Sequence, residues 1–373
     1  MAFKIWLSPP HIGTDEVSYI EMALKANHLA YFGENTIEFN SSLRAYSQTK
    51  YAVLTNSGTS AIHLALKVLG VESGDHVICQ SNSFVASANP ILYLNAIPVF
   101  IDSEKDTWNM SPDLLDEALN TLKKKGIKPK AIISVDLYGM PCEYDGIRKI
   151  ANNHEVPILE DSAEALGSSY KGIPCGNLGS IGVYSFNANK IITTSGGGAL
   201  VTNSKDYCVR ADYLANQAKA DKAYLWHEEL GYNYKFSNVL AGIGVAQLNR
   251  LDEYTRRRRH IFNVYQKKLC DLNPEVSFQK ESSDSYSNRW LSCFTFTSFE
   301  QKESVKQALL NANIECRSLW FPLHKQPVFR QALSFNNGVS EDLFEKGLCL
   351  PSGSNLQANQ LEEIISVISE QIK

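Results

Sequence analysis

The chain has no long apolar run: no stretch approaches the roughly eighteen apolar residues that a membrane-spanning helix needs. Its eight cysteines (79, 142, 175, 208, 270, 293, 316 and 349) form no CxxC pair, and no histidines gather at metal-ligand spacing. No structural zinc site or other metal centre is expected, and the scattered cysteines read as reduced thiols of a cytoplasmic protein. Positive charge is not in excess. Thirty-six lysines and arginines against 40 acids give a formal net charge of −4, which argues against nucleic acid as the main partner. The sequence also lacks internal repeats, low-complexity tracts and long flexible linkers. Its opening ten residues hold too short an apolar stretch to read as a secretion signal.

What is present is an ordinary globular composition, 44% hydrophobic and 20% charged over 373 residues, enough for one large and one smaller domain. Short apolar runs at 51–55, 76–80, 98–102, 131–136, 157–160, 181–186 and 199–202 read as strands. Helical patterns lie between the first of them, at 59–69, 87–94 and 112–125, the last opened by Ser111 as N-cap and Pro112 at the first helical position. This alternation predicts right-handed βαβ units in a mostly parallel sheet, with ligands at the carboxyl ends of the strands. An apolar helix at 239–251, rich in small residues, runs into Arg256-Arg257-Arg258-Arg259, which reads as a solvated helix face. A strand at 290–297 and helices at 300–312 and 358–372 suggest a smaller α+β domain. The expected division is a large cofactor-binding domain at 13–250 and a small one at 251–373, with residues 1–12 packing near the latter.

The chemistry centres on Lys190, which follows the 181–186 run and precedes Gly196-Gly197-Gly198. Upstream, the run at 156–159 ends in Glu160-Asp161. Singly these are bland: a lysine is ordinarily a surface charge, and a glycine cluster an ordinary turn. In this order within one α/β region, the lysine suits a Schiff-base nucleophile and the acid a partner for a pyridinium nitrogen, which points to pyridoxal phosphate. Asn56-Ser57-Gly58-Thr59-Ser60-Ala61 follows the first strand and opens a helix, where free N–H groups stabilise a phosphate. Gly58 allows close backbone approach, and Thr59 and Ser60 add hydroxyl donors; a capped helix without ligand is the competing reading. The motif is neither a Walker A loop nor a GxGxxG fingerprint. Phe84, after the next strand, is either a core residue or a face for a flat ring.

These residues resemble the sugar aminotransferases of the DegT/DnrJ/EryC1/StrS family, and the resemblance runs nearly end to end. It rests on Leu7-Ser8-Pro9-Pro10-His11, the Asn56 to Ala61 motif, Glu160-Asp161-Ser162-Ala163-Glu164-Ala165-Leu166-Gly167 and the Lys190 to Gly198 segment. Gly231-Tyr232-Asn233-Tyr234-Lys235-Phe236-Ser237-Asn238 and Leu348-Cys349-Leu350-Pro351-Ser352-Gly353 carry it further. Residues 189–198 and Asn288-Arg289-Trp290-Leu291-Ser292 are similar to the UDP-4-keto-6-deoxy-N-acetylglucosamine C4-aminotransferases of bacterial glycan synthesis.

The resemblance implies an aspartate-aminotransferase-like α/β fold (fold type I), with a mostly parallel seven-stranded sheet and a smaller C-terminal α+β domain. It implies that Lys190 carries the cofactor and Asp161 binds its pyridine nitrogen. Glu164, one helical turn on, is then expected beside the ring and Phe84 stacked on it. Gly58, Thr59, Ser60 and Ser185 are expected at the phosphate, with Asn233, joined by Lys235, reaching the neighbouring subunit's cofactor in a homodimer with shared sites. The implied reaction moves an amino group from L-glutamate to C4 of a nucleotide-linked 4-keto-6-deoxy sugar. A dTDP- or GDP-linked sugar, or amination at C3, is the alternative within the class. A catalytically silent binding protein is the alternative outside it, and it would be marked by loss of Lys190, Asp161 or the phosphate loop. Some relatives with histidine in place of this lysine dehydrate instead, so the lysine argues for amino transfer. Ser162 stands where alanine is commoner and receives no role. Arg317 and His324 are candidates for contact with pyrophosphate or hexose, against plain readings as an ion pair and a turn cap.

Overall fold

In the computed structural model, which describes residues 3–372, the apolar runs become β1 (Tyr51–Thr55), β2 (His76–Gln80), β3 (Ile97–Ile101), β4 (Ala131–Val135) and β5 (Ile158–Asp161). A short pair, β6 (Ser169–Tyr170) and β7 (Ile173–Pro174), precedes β8 (Ile181–Ser185) and β9 (Gly198–Thr202). The C-terminal part adds β10 (Ser277–Phe278), β11 (Ser285–Tyr286), β12 (Ser292–Thr295), β13 (Arg317–Ser318), β14 (Leu333–Phe335) and β15 (Gly347–Leu350). The main sheet runs β1-β9-β8-β5-β4-β2-β3-β14, parallel throughout except for β9, which is antiparallel to both neighbours. It therefore has eight strands where seven were expected. The additional one, β14, joins β3 in parallel and consists of Leu-Ser-Phe, too short and too exposed to show as an apolar run.

Helices cover both faces of this sheet because its central strands are buried on both; every residue of β4 and β5 is buried. Helix Pro112–Lys124 starts where Ser111 accepts a hydrogen bond from the N–H of Leu114. The expected helix at 87–94 is split into a 3-10 turn, Val85–Ser87, and a short helix, Asn89–Tyr93. Pro90 has no N–H to give and fits only the first turn of a helix, so a new helix must begin at Asn89.

A second sheet, β10-β12-β15-β13, packs with helices Leu251–Leu272, Phe299–Asn311 and Ala358–Ile372 around Phe262, Phe294, Val305, Leu348 and Ile364. Ile5 bridges Ile314, and the carbonyl of Leu7 accepts from the N–H of Ser352 at 2.8 Å, so the N-terminal residues lie along this sheet. The arginine run corrects the expectation of a solvated face. Arg256 and Arg257 are exposed, but Arg259 pairs with Glu281 at 2.6 Å and Arg258 is buried. At 3.6 residues per turn, four consecutive positions cannot share one face. Arg258 donates to the carbonyl of Trp290 and to Ser8 Oγ, and burial lowers its pKa to about 9.

Candidate active site

Strand register assembles the site. Gly198 on β9 lies opposite both Thr55 at the end of β1 and Ser185 at the end of β8, and Asp161 at the end of β5 lies opposite Val183. These carboxyl ends and the N-terminus of helix Gly58–Val68 open on a cavity of about 590 Å³. A methyl group on Gly198 would lie 2.5 Å from the Gly58 nitrogen, and one on Gly58 would lie 3.0 Å from Ser185 Cβ. The glycines thus let β9, the loop after β1 and the end of β8 meet backbone to backbone.

At one side of the cavity Asp161 is buried, its Oδ2 accepting from Ser87 Oγ at 2.6 Å and its Oδ1 from the N–H of Ala163 at 3.2 Å. Burial pushes its pKa up, while these donors and the charge of Lys190 pull it back. Lys190 Nζ reaches Glu164 Oε1 at 3.4 Å and sits 4.1 Å from the ring centre of Trp290. Glu164, also raised by burial, is held at Oε2 by the N–H of Tyr138 at 2.7 Å. Residues 162–165 form a single hydrogen-bonded turn, not a helix, and this turn brings Glu164 back over Asp161.

At the other side, Ser57 caps the helix by accepting from the N–H of Ser60 at 3.0 Å. Asn56, Ser57, Gly58, Thr59 and Ser185 line the cavity. Ser60 does not: its hydroxyl is taken up by Asn56 Oδ1 at 2.6 Å and Ser57 Oγ at 2.8 Å, so it shapes the loop from behind. Phe84 is 50% exposed and lies on the cavity wall 5.3 Å from Trp320. Arg317, paired with Glu315 at 2.7 Å, lines both this cavity and a second one of about 430 Å³. The two share Asn189, Trp290 and Arg317.

His324 is not on the wall. It is buried between Ser81 Oγ, 2.6 Å from Nδ1, and Glu341 Oε1, 3.4 Å from Nε2. Asn233 is exposed, with its carbonyl accepting from Asn56 Nδ2 at 3.1 Å. Lys235 is bonded to Asp212 and stands away from the cavity lining. Sequence reasoning missed Ser87, Tyr138, Trp290 and Trp320. Of these, Ser87 begins the expected helix at 87–94 and Trp290 lies within a family-like segment, but neither setting signals the contact that the side chain makes.

The cavity fits pyridoxal phosphate on its own terms. It joins a buried carboxylate, an amine, an exposed aromatic face and a capped helix N-terminus within one volume of a size usual for cofactor sites. Fold and site together are those of an aminotransferase that works through this cofactor. A profile of the DegT/DnrJ/EryC1/StrS aminotransferase family matches residues 10–369, and the chain belongs to that family. It is a pyridoxal-phosphate-dependent sugar aminotransferase.

The chain is 47% identical over 369 residues to EpsN of Bacillus subtilis (strain 168), covering 98% of this chain and 95% of that protein. It is 34% identical to a GDP-perosamine synthase of Escherichia coli O157:H7, covering 97% and 96%. To a UDP-4-amino-4,6-dideoxy-N-acetyl-beta-L-altrosamine transaminase of Campylobacter jejuni it is 31% identical, covering 99% and 98%. Among solved structures it superposes on the PLP form of Spr1654 from Streptococcus pneumoniae with a TM-score of 0.90 at 26% identity, covering 100% of this chain and 99% of that one. Among the described residues no helix is long and apolar enough to cross a membrane.

Proposed function

We propose that the chain transfers the amino group of L-glutamate to C4 of UDP-linked 4-keto-6-deoxy-N-acetylglucosamine, for bacterial surface-glycan synthesis. The observation that carries the chemistry is Lys190 Nζ lying against Glu164 within the cavity that Asp161 closes. When bound, pyridoxal phosphate supplies the carbonyl that takes up the amino group and the ring that stores the electrons of the broken Cα–H bond. Lys190 Nζ would anchor the cofactor and, as a free amine, would carry the proton to and from the reacting carbon. Asp161 keeps a proton on the ring nitrogen. Glu164 orients Nζ from one side and Trp290 from the other. Phe84 presents its ring face, and the free N–H groups of the Gly58-Thr59 turn, with the hydroxyls of Thr59 and Ser185, would hold the phosphate.

The extent of the cavity supports a nucleotide-linked acceptor. Arg317 lines both the inner cavity and the second one, so a hexose near Lys190 with its diphosphate at this guanidinium would direct its base toward the second cavity. The Campylobacter relative favours a UDP-sugar and the Escherichia relative a GDP-sugar, which is the second reading.

The site takes residues from both sides of the division at 250: Lys190, Asp161 and the phosphate loop from 13–250, and Trp290, Arg317 and Trp320 from 251–373. A homodimer completes it in this proposal, with Asn233 reaching the partner's cofactor. Tyr224, Leu225, Trp226 and Leu230, all exposed in the neighbouring segment, supply an apolar face for a second copy.

Borohydride reduction of the purified yellow protein is expected to fix the cofactor to a peptide containing Lys190; labelling of another lysine overturns the site. A panel of 4-keto and 3-keto UDP-, dTDP- and GDP-sugars with glutamate is expected to give turnover with the UDP 4-keto sugar, and preferential turnover of another sugar overturns the substrate reading.

A further inference from the structure

We propose that Asp136 carries a proton at neutral pH, that it donates this proton to Ser162, which in turn donates to an ionised Glu160, and that this bridge positions Asp161.

Ser162 Oγ lies 2.8 Å from Asp136 Oδ2 and 3.0 Å from Glu160 Oε1, and all three residues are fully buried. A hydroxyl has one hydrogen, so Ser162 is hydrogen-bonded to both acids at once only if one of them donates to it. The remaining partners decide which. Glu160 accepts from three backbone N–H groups: Gly176 at Oε1, and Leu178 at 2.7 Å and Gly179 at 3.0 Å at Oε2. Such a set stabilises a carboxylate as the anion. Asp136 Oδ1 accepts from the N–H of Cys142 at 3.1 Å and from Tyr144 Oη at 2.9 Å, while Oδ2 meets Ser162 and no backbone donor, with the Glu160 carboxyl and the Cys175 thiol also close to the Asp136 carboxyl. The proton therefore belongs on Asp136 Oδ2. Burial and the charge of Glu160 push Asp136 up in the same direction. The other groups facing the pair are Tyr144, Cys142, Cys175 and Tyr184. Burial raises all four, so they stay neutral and add no compensating charge.

The bridge lies directly behind Asp161. Side chains alternate along a strand, so Glu160 points to the opposite face of β5 from Asp161, and Ser162 follows the strand end. The N–H of Asp136 donates to the carbonyl of Asp161 at 3.1 Å. The bridge thus ties the ends of β4 and β5 to the 176–179 turn that leads into β8. The contacts that aim Asp161 and Glu164, from the N–H groups of Ala163 and Tyr138, hang on these same ends. Ser162, unexplained in the sequence, thereby gains a role, because its hydroxyl meets both of two buried acids that lie close to each other.

Asp136, Glu160 and Cys175 also lie close enough together to ligate a cation, which is a separate outcome of the test. The first arm is infrared spectroscopy of the full-length protein, with and without cofactor, in H2O and D2O at pH 7. A deuterium-sensitive protonated-carboxyl band is expected in the wild type and is expected to be lost in Asp136→Asn. Absence of the band, its undiminished presence in Asp136→Asn, or one equivalent of divalent metal per chain by elemental analysis overturns the proton bridge. This arm does not depend on the substrate reading. The second arm rests on that reading: Ser162→Ala is expected to lower kcat about tenfold with little change in KM. The pH at which the bound cofactor's visible absorption titrates is expected to move as well, while Asp136→Asn, which can still donate to Ser162, keeps the wild-type titration. An unchanged titration and kcat in Ser162→Ala overturn the positioning role.

Discussion

At the scale of single residues the proposed mechanism gives two carboxylates in different surroundings different roles. Asp161, held by Ser87 Oγ and the N–H of Ala163, faces the cofactor nitrogen in the proposed mechanism, while Glu164 faces Lys190. Asp161→Asn keeps the shape and removes the charge, and is expected to lower kcat/KM by about a hundredfold to a thousandfold while the cofactor stays bound, measured by stopped-flow half-reactions and cofactor content. Lys190→Ala is expected to abolish turnover and borohydride labelling but not binding of the phosphate end. The placing of Lys190 and Asp161 at one cavity was legible in the sequence because each stands within a few residues of a strand end, where local pattern marks position. Their supports were not. Ser87 reaches Asp161 across 74 residues, and Trp290 lies 101 residues from the Asn189 carbonyl that fixes its indole. Arg258 and His324 mark the same limit from the other side, since charge in the sequence does not reveal burial in the fold.

Elements were legible where a strand or helix carries its own signal. The seven apolar runs fold as strands shifted by no more than one residue at either end, and Ser111 caps the helix that it was expected to open. Ser111→Ala is expected to cost about 1 kcal/mol in denaturant unfolding without touching activity, because that helix end is remote from the cavity. β14 carried no such signal: three residues become a strand only because the edge of β3 is there to receive them. How elements meet was equally hidden. The sequence offers the triple glycine singly as an ordinary turn and carries no sign of which of its members is crowded. Gly196 has open space beside it, whereas Gly198 is pressed against the backbone of Ser57 and Gly58. Gly198→Ala must therefore push the phosphate loop outward. It is expected to weaken cofactor retention on dialysis and to destabilise the fold by about 1–3 kcal/mol; a variant that keeps both at the wild-type level would show that the loop yields freely.

At the scale of the whole molecule, acid stability provides a test that does not pass through the active site. His63, on the helix that opens at the phosphate loop, is buried among Tyr93, Tyr232 and Tyr234, and so joins that helix to the segment leading out to Asn233. Its Nδ1 lies 3.1 Å from Tyr234 Oη, and its Nε2 is buried without a partner among the described residues. Burial, helped by the charge of Lys67, lowers its pKa from 6.5 to about 4. The folded protein therefore keeps this imidazole neutral down to about pH 4, whereas the unfolded chain takes up a proton below about 6.5. By linkage, the stability tied to His63 is fully present above the unfolded value and is lost progressively as pH falls between these two values. His63→Phe retains the ring stack and removes the proton. Its thermal midpoint is expected to fall less steeply than that of the wild type between pH 6.5 and 4, whatever the offset between the two proteins at neutral pH. Parallel curves would mean that acid reaches the fold elsewhere. If the steep wild-type fall is accompanied by loss of the proposed dimer in light scattering, and His63→Phe delays both, then the same imidazole links the phosphate-loop helix to the surface proposed to meet the second copy.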